Sequence, residues 1–262
     1  MIKRSPMTAF FVLAYALTWA AWLPLALRGP VYGDNLSYLH LLGGLGPMVA
    51  ALVVTGLTSG REGLRELLGR IFMWRVPAGW HLLAWLSPVA LYLVAAVVVR
   101  VGWGEWPLLS QFGKSTEYPQ LAVPLYWLAN IFFYGFGEEV GWRGFALPRL
   151  QKTRNGLTSA VILSVFWALW HLPLFAFSGG MSTMGPAEVF GWYVSLLTGS
   201  VLLTWMFNGS GGSVLIVAVF HGMLDVAITS PSPGDLSTVM GAMLTTWGIF
   251  SIRFLIPQPR KK

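Results

Sequence analysis

Long apolar stretches alternate along the chain with short breaks rich in Gly, Pro, Ser and Arg. Eight of these stretches approach the ~20 residues that a helix needs to cross a bilayer. They fall at roughly 6–28, 36–58, 80–103, 121–147, 158–177, 187–207, 213–230 and 236–256. The breaks carry turn chemistry: Arg28-Gly29-Pro30, Ser178-Gly179-Gly180, Asn208-Gly209-Ser210-Gly211-Gly212 and Ser230-Pro231-Ser232-Pro233-Gly234. The pattern predicts an all-α, polytopic membrane protein, a bundle of about eight transmembrane helices forming a single integral membrane domain over residues 1–262. One segment has a different rhythm. Over 61–75, Arg61, Arg65 and Arg70 interleave with Leu64, Leu67, Leu68 and Ile71, which predicts an amphipathic helix lying on the membrane surface.

Composition sharpens this picture. Hydrophobic residues make up 55% of the chain and charged residues only 10%, whereas soluble domains are about 25% charged. The net charge of +7 does not point to nucleic acid, because Lys and Arg lie at segment ends rather than on one face. One set of connections and termini holds Lys3, Arg4, Arg61, Arg65, Arg70, Arg75, Arg149, Lys152, Arg154, Arg253, Arg260, Lys261 and Lys262. The other holds only Arg28, Arg100 and Lys114. The positive-inside rule then predicts a multi-pass plasma-membrane protein with both termini in the cytoplasm. With no cysteine, disulfides and thiolate metal sites are excluded.

The candidate chemistry sits inside the apolar runs. Glu138-Glu139-Val140-Gly141-Trp142-Arg143 places three ionisable side chains where each costs about 2.5 to 3.5 kcal/mol at mid-membrane. Glu139 and Arg143 are four apart and share a helix face, so they can neutralise one another. Glu138 is turned about 100° away and has no such partner. Gly137 and Gly141 form a small-xxx-small pair that admits a close neighbouring helix. In the next run His171 follows Trp167 by one turn, and later His221 and Asp225 again share one face at i and i+4. His40 and His81 lack an acidic neighbour at helical spacing and read as interhelical hydrogen-bonders. Helix rise allows Glu138, His171 and His221 to meet in the middle-to-cytoplasmic part of the bilayer, in a pocket opening toward the cell interior. No serine or cysteine nucleophile is indicated. A carboxylate with histidine can activate water directly or through a metal. Glu138, His171 and His221 would also suffice as ligands for a catalytic zinc.

These residues, in this order, resemble the CPBP intramembrane proteases, the CAAX-processing and bacteriocin-processing group also called the Abi or type II CAAX prenyl endopeptidase family. The similarity covers about residues 120–230 and is densest over Glu138 to Pro148. It implies a four-helix catalytic core in which Glu138 and His171 polarise the attacking water. Glu139 and Arg143 then hold the site together, while His221 and Asp225 stabilise the oxyanion. Trp167 stands where the family usually has Phe, a change that the resemblance treats as conservative. Asp225 stands where it usually has Asn, and an ionised Asp cannot donate to an oxyanion. Asp225 is then protonated by burial, orients His221, or ligates a divalent metal; the substitution tilts the reading toward metal. The expected partners are the lipid bilayer and a peptide or protein substrate at the membrane, with no nucleic acid. Two other classes compete. A transporter or proton relay also uses intramembrane Glu and His but predicts inverted repeats. A non-catalytic immunity or binding protein predicts loss of a key residue, yet Glu138, His171 and His221 are all present.

Overall fold

The computed structural model describes residues 2–30, 33, 35–232 and 236–256. Pro233, Gly234, Arg260, Lys261 and Lys262, which entered the turn and charge readings, lie outside the described residues. The regular structure of the described residues is helical: α1 (Pro6–Arg28), α2 (Tyr38–Gly44), α3 (Gly46–Ile71), α4 (Ala78–Trp103), α5 (123–150), α6 (Gly156–Trp170), α7 (Leu174–Phe177), α8 (Pro186–Gly209), α9 (Val214–Thr229) and α10 (Leu236–Ser251).

Local chemistry sets the boundaries. Pro6 opens α1, where its missing N–H costs nothing, and Gly29 closes it at φ 93° with its N–H on the Leu25 carbonyl. Gly104 closes α4 in the left-handed conformation, φ 80°. Asn155 caps α6 by accepting from Thr158 N, and Ser213 caps α9 by accepting from Ile216 N. The stretch expected at 158–177 stops early, at Trp170. Pro173 cannot donate to a helical ladder, and His171 and Leu172 instead bond to the carbonyls three residues back. The chain turns there and His171 sits at a helix terminus.

Among the described residues, three helices are long and apolar enough to cross a membrane alone: α1, α4 and α8. The bent pair Asn35–Gly44 and Gly46–Ile71 makes a fourth when taken as one span. By contrast α6 and α9 have 15 and 16 residues, short of the ~30 Å hydrocarbon core at ~1.5 Å per residue. The eight expected stretches are present as helices, but they are unequal. α9 tolerates its shortness because twelve of its sixteen residues are buried among neighbours rather than set in lipid.

The amphipathic segment also differs from its expectation. Gly60, at φ 61°, breaks α3, and the portion after it turns Leu67 and Ile71 into the core while Leu68 stays exposed. Arg70 Nη1 donates to the Gly144 carbonyl at 3.2 Å, seating this helix against the end of α5. Protein, as well as lipid, receives its apolar face.

Hydrogen bonds sort the connections onto two ends of the bundle. Gly113 N donates to Ser230 Oγ (2.8 Å) and Gly33 N to Glu117 O (3.1 Å), gathering the connections after α1, α4 and α9. Ser213 Oγ donates to Met73 O (2.7 Å), joining the connections after α3 and α8 at the opposite end.

Close backbone approach holds α5 in the centre. A Cβ on Gly137 would lie 2.5 Å from Gly44 O, and one on Gly141 2.5 Å from Pro47 Cβ, so this pair does admit the α2–α3 junction. On the other side Gly222 of α9 lies against the Ile131 backbone, where a Cβ would sit 2.5 Å from Ile131 Cα. Gly222→Ala is therefore expected to destabilise the protein by about 1–3 kcal/mol. Gly191→Ala, on α8 with nothing within 4 Å of the added Cβ, should leave stability equal or higher. Thermal melts of the two purified variants in detergent check this, and a Gly222→Ala melt matching wild type would refute the packing claim.

Candidate active site

The centre of α5 departs from regular helix. Glu138 and Glu139 occupy a three-residue α-helical piece, Gly137–Glu139, between π-helical turns Asn130–Phe136 and Val140–Ala146. Such widened turns recur at functional sites because they re-aim side chains within a continuous helix. Here two adjacent carboxylates serve two different environments.

Glu139 is fully buried. Its Oε1 accepts from Arg143 Nη1 at 2.9 Å, the pairing expected from their spacing. The same oxygen accepts from His221 Nδ1 at 2.8 Å, a contact from α9 that spacing along α5 cannot reveal. Arg143 is also fully buried, and its guanidinium carbon lies 4.6 Å from the centre of the Trp167 ring. A cation, an anion, an imidazole and an indole from three helices thus form one contact cluster. Its charges offset each other's desolvation.

Glu138 faces the other way, into a cavity of about 620 Å³. Its Oε2 accepts from Trp167 Nε1 at 2.6 Å and, more loosely, from Trp142 Nε1 at 3.4 Å. Glu138 therefore has partners after all. Trp142 was legible at i+4 on the same face, but the stronger donor comes from α6. Substituting Trp for Phe at 167 is not merely conservative, since a phenyl ring has no N–H to give.

His171, His221 and Asp225 line the same cavity as Glu138. His171 Nδ1 donates to the Trp167 carbonyl at 2.7 Å, which fixes the tautomer and leaves Nε2 as the acceptor nitrogen. Its ring packs edge-on against Trp170 and Trp192. His221 Nε2 lies 3.6 Å from Asp225 Oδ2, beyond hydrogen-bond length but close enough for electrostatic attraction. The Asp225 side chain is 30% exposed.

A metal ion fits these positions poorly. Among the described residues, no three His, Asp or Glu side chains converge as a metal-binding group, and the trio Glu138, His171 and His221 is no exception.

The two remaining histidines divide. His81 Nε2 donates to Trp74 O at 2.9 Å, in the connection leading into its own helix rather than on another helix as expected. His40 does have an acidic neighbour: its Nδ1 lies 2.8 Å from Glu117 Oε1. Seventy-seven residues separate them, so no local pattern announces the pair. Both line the cavity. Tyr118 beside them donates to Ser37 O or Glu117 Oε1, and burial, with the Glu117 charge adjacent, pushes its phenol well above the ordinary range.

Comparison with known proteins gives two matches. Residues 120–227 match the family described as Type II CAAX prenyl endopeptidase Rce1-like. The chain is also 22% identical over 232 residues to the CAAX prenyl protease 2 of Methanococcus maripaludis, an alignment covering 83% of this chain and 82% of that relative. The matched segment contains Glu138, Glu139, Arg143, Trp167, His171, His221 and Asp225. The matched segment runs from the start of α5 almost to the end of α9, so the similarity spans the three helices that carry the candidate site.

Proposed function

We propose that this chain is an intramembrane endopeptidase hydrolysing a peptide bond in a membrane-associated peptide, with Glu138 as the general base. The observation that carries the proposal is the Glu138 carboxylate, held by two indole N–H groups at a cavity that His171, His221 and Asp225 also line. Glu138 and His171 Nε2 polarise a water for attack on the scissile carbonyl carbon. Glu138 takes the water proton and returns it to the departing amine, so the peptide C–N bond breaks with no net proton change. His221 serves the tetrahedral oxyanion. With Nδ1 committed to Glu139, its Nε2 donates only from the imidazolium form, and Glu139 and Asp225 flank that ring with compensating charge. Asp225 therefore acts by orienting and balancing His221. The relative's name suggests a CAAX-type substrate, and a leader peptide is the other class consistent with an apolar cavity.

Since the donor atoms do not gather into a metal set, no step is assigned to zinc. Peptidase activity of purified protein should survive prolonged EDTA treatment. Loss that zinc restores would move Glu138, His171 and His221 into the ligand role instead.

Mutations separate chemistry from scaffold. Glu138→Ala should abolish cleavage while yielding folded protein in the membrane at the wild-type level. Glu139→Ala strands Arg143 in the core, an effect of about 3–5 kcal/mol, and should lower yield as well as activity. Equal cleavage by wild type and Glu138→Ala would end the catalytic assignment. Trp167→Phe removes the shorter bond to Glu138 and keeps the ring. Hydrogen bonds to charged groups contribute about 1.5–3 kcal/mol, so kcat should fall about 10- to 100-fold with normal yield. A wild-type kcat in this variant would show that the indole N–H does not position the base.

A further inference from the structure

The wall of the cavity is chemically two-sided. Trp170, Met181, Trp192, Leu196 and Leu203, from α6, α8 and the chain between them, make one apolar part. A polar part comes from the α4–α5 connection and the first turns of α5: Glu117, Tyr118, Tyr126 and Tyr134, with His40 of α2 beside them. Water activation and oxyanion stabilisation use none of these five residues.

Glu117 is the acidic group of this polar part. His40 Nδ1 lies 2.8 Å from its Oε1, and the Tyr118 hydroxyl donates to the same atom at 3.0 Å. Both contacts fall on Oε1 and the side chain stays 25% exposed, so the carboxylate is oriented without being covered. The His40 ring is itself wedged among Trp22, Tyr134 and Phe177. Tyrosines complete the recess: the Tyr118 and Tyr134 hydroxyls are 3.3 Å apart, and the Tyr118 and Tyr126 rings 6.1 Å. Aromatic faces attract cations. Among the described residues no Lys or Arg lines the cavity. The carboxylates of Glu117, Glu138 and Asp225 also outnumber the one imidazolium, His221, that the proposed chemistry requires.

The recess lies at a defined distance from the catalytic carboxylate. Tyr134 precedes Glu138 by one turn of α5, about 6 Å along the axis. Helical side chains lean toward the N-terminus, which carries the Tyr134 phenol further from Glu138. An extended peptide advances about 3.3 Å per residue. A chain with its scissile bond at Glu138 therefore brings to Glu117 the side chain about two to three residues away.

We propose that Glu117 and the tyrosines around it form a recess for a Lys or Arg side chain of the substrate, placed about two to three residues from the bond that is cut. The cationic head pairs with the Glu117 carboxylate, and the methylene stem lies along the tyrosine rings. His40 is a positioning residue that holds the carboxylate in the cavity wall. The proposal rests on the endopeptidase reading and adds to it the chemistry of the substrate.

The test uses purified full-length protein in detergent and a peptide library derived from a whole proteome, with cuts located by mass spectrometry. Only cuts missing from the Glu138→Ala digest are counted. Lys and Arg should be enriched at one position two or three residues from the cut. In a synthetic peptide taken from that set, replacing the basic residue by norleucine should lower kcat/KM about 10-fold. Glu117→Gln should bring the two peptides to nearly equal kcat/KM, and Glu117→Arg should shift the library preference toward Asp and Glu. A pair that merely ties α2 to the α4–α5 connection would alter yield without exchanging one preference for the other. Should Glu117→Arg fail to fold, the wild-type and Glu117→Gln peptide ratios decide alone. Glu138-dependent cuts without basic enrichment, or an enrichment unchanged in Glu117→Gln, overturn the recess and leave the endopeptidase standing. Absence of any Glu138-dependent cut ends both.

Discussion

Charge that has no access to bulk water must find its compensation inside the bundle, and Glu139 is where this protein finds it. One carboxylate oxygen takes both the Arg143 guanidinium and the His221 imidazole. Removing Arg143 leaves the Glu139 charge buried without its cation. The contact also links α5 to α9 at the depth where the site lies, and Trp167 brings α6 into the same cluster through the face of its ring. The relative placement of the three motif-bearing helices therefore follows from one electrostatic requirement. Glycine contacts at Gly137, Gly141 and Gly222 let the backbones come close enough to meet it.

The neighbouring carboxylate is free for chemistry because Glu139 carries the structural burden. Glu138 has no cation within hydrogen-bonding reach among the described residues, only indole donors. An indole orients a carboxylate without quenching its basicity as a guanidinium would. Trp167 thus has two roles: its N–H addresses Glu138, and its π face addresses Arg143. Two adjacent residues in one helix acquire separate functions because π-helical turns on both sides allow the widened helix to serve a packed face and a hollow one.

The hollow face has a direction. Its rim is formed by the less basic connections, and the widest density of positive charge lies across the bundle from it. In a membrane protein these are independent design variables: loop charge decides orientation during insertion, and helix packing decides where space remains.

Much of this was present in the residues themselves. Hydropathy and turn chemistry located every long helix, because lipid demands apolar runs of defined length and because Gly, Pro and Ser break them. The i, i+4 rule paired Glu139 with Arg143, and the order of the three motifs pointed to the family. Other features depended on tertiary structure. The His40–Glu117 pair, the Trp167 bond to Glu138 and the His221 bond to Glu139 all join residues far apart in the chain. The face on which the cavity opens is likewise a property of how α5, α6, α8 and α9 lean together. Local pattern reports which side of a helix a residue occupies. What stands opposite that side is settled only when separate helices pack, because desolvated groups must then find partners wherever the fold supplies them.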